Sequence, residues 1–183
     1  MTELVINASN IISPLCYSVL RVEPYTVCPF RCTYCYSRWY MKNPTPYVAP
    51  RWRAIAMFRD TARRVRRRGL KPIPFRLSTL VDPFPPHEEL YRASEEVLRI
   101  ALDLEYPIAV NTKSDLIVRD PWRRLLEKLM DRGLAVLQIS ISTLDDGRAA
   151  LVEPNAPPPS ARLRALKEFE GRGYPLVVRL SPF

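Results

Sequence analysis

Three of the four cysteines in this chain lie within eight residues, as Cys28-Pro-Phe-Arg-Cys32-Thr-Tyr-Cys35. The spacing is C-x3-C-x2-C. Thiols so close together, in a chain that opens without a secretory signal, suit a metal and not a disulfide framework. Three thiolates can each hold a different iron of a cubane cluster, whereas full protein ligation takes four cysteines. One iron is then left open to a substrate or cofactor. Zinc is the other metal such a loop could serve, but it wants four ligands. Its fourth would be Cys16 or His87, the only histidine. Cys16 reads more simply as a small buried residue. The loop also lacks the paired C-x2-C knuckles common in zinc modules.

Such a loop needs a scaffold. Alternation over residues 17–23 predicts a strand directly before the cysteines, ended by Pro24. Further strands are predicted over residues 74–80, 107–112, 135–141 and 176–180. Between them the period changes to that of helices. Residues 51–69 place Ile55, Phe58, Ala62 and Val65 on one face, with Gly69 as the C-terminal stop. A second helix is expected over residues 87–104. A third is expected with Asp120 as cap and Pro121 at its first position, running to Gly133. The fourth is expected to start at a Ser160 cap and stop near Gly171 and Gly173. Residues 82–86 and 113–120 read as loops, and Pro154–Pro159 as a proline-rich one. Crossovers long enough for a helix imply parallel strands, and their Val, Ile and Leu content implies burial on both faces. In barrel-like folds of this kind chemistry sits at the C-terminal ends of the strands. The residues just after each strand are therefore the candidate site.

The chain has 183 residues, 47% hydrophobic and 26% charged, which fits one globular domain and excludes a disordered chain. Residues 1–16 read as an N-terminal segment and 17–183 as the core. No long apolar run crosses a membrane, and the first residues lack the pattern of a signal peptide, so the cytoplasm is expected. The net charge is +9 and uneven. Residues 1–77 hold 14 Lys and Arg against 3 Asp and Glu, a balance of +11, and residues 78–183 hold 14 against 16, a balance of −2. An anionic partner is expected on the N-terminal part. Eight arginines fall between Arg51 and Arg68. They read as a solvated outer helix or, functionally, as a phosphate-binding surface for nucleic acid.

A C-x3-C-x2-C loop after the first strand of a parallel β/α chain, with aromatic Tyr34 before the last cysteine, resembles the radical S-adenosylmethionine (radical SAM) superfamily. The blocks Leu80–His87-Glu88, Thr112-Lys113-Ser114, Ser140–Asp145 and Leu151–Pro157 resemble, within it, the branch related to spore photoproduct lyase. The resemblance covers residues 17–183. It implies an α/β fold, a partial (β/α) barrel of radical SAM type, here with five parallel strands and lacking the sixth. It implies a 4Fe–4S cluster on Cys28, Cys32 and Cys35 and an S-adenosylmethionine bound to the open iron. Reductive cleavage would give a 5′-deoxyadenosyl radical that abstracts hydrogen from a substrate the sequence does not name. Cofactor contacts are implied for Tyr34 at the adenine and for Ser78, Thr79 and Asp82 at the amino group. Lys113 is implied at the carboxylate, Ser140 and Ser142 at the ribose or methionyl part, and Arg179 at the carboxylate or at Glu153. An electron donor such as ferredoxin or flavodoxin is implied, and an oligomer or partner chain could close the open edge beside residues 177–180. Photoproduct lyases carry a hydrogen-donating cysteine near the end of the second strand. This chain has Leu77-Ser78-Thr79 there, so photoproduct repair itself is not implied. No general acid–base pair stands out, and no catalytic side chain is assigned. Two other readings compete: a zinc-stabilised basic nucleic-acid-binding module without catalysis, and a truncated remnant that binds a cluster without turnover.

Overall fold

The computed structural model describes residues 20–41, 46–172 and 176–181. Five strands form one sheet: β1 (Leu20–Val22), β2 (Phe75–Leu77), β3 (Ile108–Thr112), β4 (Ala135–Ile141) and β5 (Val177–Leu180). They lie side by side in chain order, and every neighbouring pair is parallel. The helices are α1 (Ser37–Tyr40), α2 (Trp52–Arg67), α3 (Glu88–Tyr91), α4 (Ala93–Asp103), α5 (Trp122–Asp131), α6 (Asp146–Val152) and α7 (Pro159–Lys167). This is the open α/β sheet expected of a partial barrel.

The strand period of two divides the sheet into unlike faces. Phe75, Leu77, Ile108, Val110, Leu137, Ile139 and Ile141 are buried in the main core with Ile55, Phe58, Val97, Leu126 and Leu129 from the helices. Phe58, Phe75 and Tyr106 meet edge to face, with centroids 4.9, 5.4 and 5.7 Å apart. Each such fully buried ring is worth about 1.5–3 kcal/mol over leaving it in water. The register places Arg21 beside Arg76 and Ser140 beside Arg179. Arg21, Arg76, Asn111, Gln138, Ser140 and Arg179 therefore belong to the opposite face. Burial on both faces with apolar side chains, as the strand composition suggested, does not hold for that face.

Several boundaries differ for physical reasons. The first strand is described from Leu20 only; residues 17–19 of the expected strand, and Cys16, lie outside the described residues. β2 ends at Leu77 because Ser78 turns into the left-handed region at φ 65°. The helix expected over residues 87–104 breaks into α3 and α4 at Arg92, φ 53°. The break lets the buried carboxylate of Glu88 accept from the backbone N–H of Ser94 (3.0 Å) and Glu95 (2.8 Å), capping α4. Pro121 precedes α5, and Asp120 makes no capping hydrogen bond; it pairs with Arg124 at 2.8 Å instead. Ser160 lies inside α7, which starts at Pro159, and its hydroxyl donates to Asp146 (2.6 Å). α6 falls where no element was expected, and Asp145 caps it by accepting from the Arg148 N–H at 3.0 Å. A short 3-10 turn, Leu116–Val118, falls within the loop expected after β3. Gly69 does stop α2, at φ 60°, where a side chain would be strained.

Candidate functional site

The cysteine loop leaves the C-terminal end of β1 and is pinned from two sides. The end of α6 and the loop after it hold it through Thr33 N–H donating to Val152 O (2.8 Å) and Asn155 Nδ2 donating to Pro29 O (3.0 Å). The Tyr34 hydroxyl donates to Glu153 on that same loop. On the other side the Tyr36 hydroxyl donates to Thr79 O, just after β2. Within the loop, Cys35 N–H donates to Cys32 O (3.1 Å) and the Cys35 sulfur lies 2.9 Å from the Ser37 hydroxyl.

The three thiols are free and in reduced form. Burial, then the charge of Asp82, push the Cys28 thiol up to about 12. Burial also raises Cys32, although the charge of Lys113 opposes it. A thiol so shifted is a poor free nucleophile, because only the thiolate reacts. It becomes a thiolate when a cation replaces its proton. Among the described residues no three His, Cys, Asp or Glu side chains converge as a finished metal centre. The thiols are brought onto one loop rather than onto one point. In chemistry and connectivity this donor set fits a group held by three thiolates of one segment.

Glu153 organises the floor beneath the loop. It is fully buried and receives the Tyr34 hydroxyl and a guanidinium nitrogen of Arg162, itself fully buried. Lys113 Nζ lies 3.8 Å from its other side and over the Tyr34 ring, 5.7 Å from the centroid. Burial alone would raise the Glu153 pKa; the Arg162 and Tyr34 hydrogen bonds and the two cationic charges outweigh it, and the net shift is downward. Burial, then the carboxylate of Glu153, raise Tyr34. Arg162 spends its other nitrogens on Pro157 O (2.6 Å) and Ser140 O (3.0 Å).

The expected cofactor residues divide. Lys113, Tyr34 and Ser142 gather around Glu153. The Ser142 hydroxyl lies near that of Tyr34 but is buried without a well-formed hydrogen bond of its own. Ser140 donates to Asn111 on the neighbouring strand, on the same face of the sheet (3.1 Å). Ser78 and Thr79 are fastened by Glu23, which accepts from Thr79 N–H (2.8 Å), Thr79 Oγ1 (2.8 Å), Leu80 N–H (3.1 Å) and the Ser78 hydroxyl. Asp82 ties loops together, accepting from Thr112 Oγ1 (2.6 Å), Lys113 N–H (2.7 Å) and Phe84 N–H (3.0 Å). Burial raises its pKa against those three bonds. Arg179, expected as a buried arginine paired with the cofactor carboxylate or with Glu153, is instead exposed on β5, and the Glu153 carboxylate is held by Arg162. His87 is exposed and lines a cleft that Cys28 also lines.

Glu23, Arg162 and Tyr36 were missed. Arg162 left a signal, since it falls on the apolar stripe Arg162, Ala165, Leu166, Phe169 at helical spacing. A charge on a buried stripe needs a buried partner. Glu23 and Tyr36 left none, because their contacts depend on strands brought together by the fold.

On the basic helix, Arg59 pairs with Glu96 and Arg66 donates to Asp103 O (2.8 Å). Arg53, Arg63, Arg64, Arg67 and Arg68 are exposed. No helix among the described residues is long and apolar enough to cross a membrane.

Residues 22–181 match the family described as the radical SAM superfamily, and the chain belongs to it. It is 35% identical over 106 residues to an uncharacterised protein, ORF301, of Acidianus two-tailed virus, covering 58% of this chain and 33% of that one. It is 23% identical over 162 residues to the uncharacterised protein MJ0683 of Methanocaldococcus jannaschii, covering 88% of this chain and 59% of that one. A mutant of spore photoproduct lyase superposes with a TM-score of 0.70 at 17% identity, over 100% of this chain and 49% of the lyase. At that identity the likeness is one of fold. The chain thus spans a third to three fifths of the length of the proteins it matches.

Proposed function

We propose that this radical SAM chain carries a 4Fe–4S cluster on Cys28, Cys32 and Cys35 and binds S-adenosylmethionine beside it. The bound cluster would supply the electron that cleaves the cofactor to a 5′-deoxyadenosyl radical, which takes hydrogen from a substrate. The observation that carries the reading is the three-cysteine loop, pinned over the buried Glu153 at the C-terminal mouth of a parallel sheet. The mouth also supplies what the cofactor needs. Lys113 is a half-sequestered cation suited to a carboxylate. Ser142 offers a buried hydroxyl without a completed bond of its own. Ser78 and Thr79, set by Glu23, would meet the ammonium group through their oxygens. Tyr34 would stand at the adenine, Ser140 and Asn111 at the ribose, and Asp82 behind the Lys113 backbone. A mutant lyase of the same fold has been solved with bound AdoMet and dinucleoside spore photoproduct, which supports the cofactor for this chain and leaves its substrate open. The partners we propose are an electron carrier, a nucleic acid along α2 and a second chain at β5.

Anaerobic reconstitution with iron and sulfide tests the reading. The expected result is a visible iron–sulfur band, lost on changing any of Cys28, Cys32 or Cys35 to Ala. With reductant and S-adenosylmethionine, 5′-deoxyadenosine should form. Stoichiometric zinc retained without such a band would overturn the cluster. A band without 5′-deoxyadenosine would mark a cluster-binding chain that does not turn over.

A further inference from the structure

The strand face turned away from the main core carries charge of one sign. Arg21 on β1, Arg76 on β2 and Arg179 on β5 share it with Asn111, Gln138 and Ser140. No strand residue on this face is acidic. Glu23 follows β1 directly, but its carboxylate already accepts from Ser78, Thr79 and Leu80 and has Arg21 at 3.8 Å. Arg21 also donates to Thr79 Oγ1 (2.8 Å). The face therefore keeps a net positive charge, with Arg76 half-buried and Arg179 exposed on it.

β2 and β5 are three strand steps apart, about 14 Å across the sheet. Both charges nevertheless bear on one atom, the hydroxyl of Tyr36 at the end of the cysteine loop. Burial raises its pKa, the charges of Arg76 and Arg179 lower it, and those of Glu23 and Cys35 add to the rise. Its single proton goes to Thr79 O, so Tyr36 marks the place between the two arginines and supplies no donor there. The register sets Arg179 beside Ser140, one of the proposed cofactor residues. Along β5 it alternates with Val178 and Leu180, whose side chains lie on the other face.

We propose that Arg76 and Arg179 form a subsite for the phosphate group of a small phosphorylated substrate. The proposal rests on the radical SAM reading for its place in the reaction and adds to it the chemical class of the substrate. Charge and shape select the occupant. A carboxylate carries one charge and offers two oxygens in one plane, which suits a single guanidinium fork. A phosphate monoester carries about two negative charges at neutral pH and three acceptor oxygens, so two guanidinium groups can hold it from different sides. Arginines separated by β3 and β4 reach a common anion only from different sides. The basic helix α2 is not part of this subsite, because its Phe58 packs on Phe75, on the other face of the sheet.

Arginine modification tests the subsite. The full chain is treated with phenylglyoxal, and each arginine is followed by peptide mass spectrometry. Glycerol phosphate is expected to slow modification of Arg76 and Arg179 about ten-fold, as charge-assisted contacts would. Arg63, Arg64 and Arg67, exposed on α2, should change by less than about two-fold in the same sample. Acetate at equal ionic strength should protect neither group. In Arg179→Gln the protection of Arg76 should be lost, with an unchanged melting transition because position 179 is exposed. Equal slowing at the α2 arginines would overturn the subsite, and so would protection of Arg76 that survives Arg179→Gln. Acetate protecting as well as glycerol phosphate would overturn the choice of phosphate. A dinucleotide with one phosphodiester protecting where glycerol phosphate does not would overturn the small substrate in favour of a nucleic-acid strand. None of these measurements uses iron, so failure of the cluster reading is seen separately, as absence of the iron–sulfur band on reconstitution.

Discussion

Glu153 is where three parts of the molecule share one charge. Tyr34 brings the cysteine loop to it, Lys113 the loop after β3, and Arg162 the helix α7. Its carboxylate is fully buried, so its removal leaves the equally buried Arg162 without its counter-charge. Breaking such a pair from one side costs about 3–5 kcal/mol. Glu153→Gln is expected to lower the unfolding free energy by an amount of that order, measured by urea titration. The pH dependence has a definite sign. The Glu153 pKa is lowered in the folded chain, so its contribution is present above the ordinary carboxylate range and disappears as pH falls through the folded value. Asp82 and Glu88 are raised, chiefly by burial, so their contributions are present at low pH and fade as pH rises through their folded values. The gap in stability between the native chain and Glu153→Gln should therefore close on acidification. A gap that stays constant from neutral pH to acid would show that the Glu153 ion pair is not its source.

Among the elements, the break between α3 and α4 shows what a sequence pattern conceals. Residues 87–104 read as one helix because the apolar positions keep helical spacing across Arg92. The break is set by Glu88, whose carboxylate accepts from Tyr25 OH, Ser94 N–H, Glu95 N–H and Trp122 Nε1. Glu88→Ala would leave four buried donors without an acceptor, each costing about 1–3 kcal/mol if unmet, so the chain should lose most of its stability. Trp122→Phe removes one donor and keeps the carboxylate, and should cost about 1–2 kcal/mol by the same reasoning. A Glu88→Ala melting temperature close to the native one would contradict the role given to Glu88. The same contrast governs legibility in general. β3, β4 and α2 were readable because their patterns are local: apolar strand runs entered after Pro107 and Gly133, and helical apolar spacing ended by Gly69. The three cysteines were readable for the same reason. Ser78, Thr79 and Lys113 could be placed after their strands, but their hydrogen-bond partners could not. Glu23 reaches residue 79 and Glu153 reaches residue 34 only after parallel strands have been laid side by side. Arg179 misled because apolar neighbours in a strand imply burial only when another strand or helix covers it.

At the scale of the whole molecule, that uncovered strand is the main liability. β5 pairs with β4 on one side and, among the described residues, with nothing on the other. The register sets Val178 beside Ile139 and Leu180 beside Ile141, on the face that elsewhere is covered by helices. Ile139 and Ile141 are wholly buried, whereas Val178 is 44% and Leu180 56% exposed. An open parallel edge joined to uncovered apolar side chains favours pairing with another chain. The chain as given should therefore associate with itself as concentration rises, and sedimentation velocity over a concentration series would show it. Val178→Lys with Leu180→Lys places two charges on this edge, the device natural sheets use against edge pairing. Both positions are substantially exposed, so each replacement should alter folding stability by no more than about 0.5 kcal/mol. The double variant is expected to sediment as a monomer at concentrations where the native sequence does not, with an unchanged melting transition. If both sequences sediment alike, whether monomeric or associated, β5 is not the surface that draws chains together.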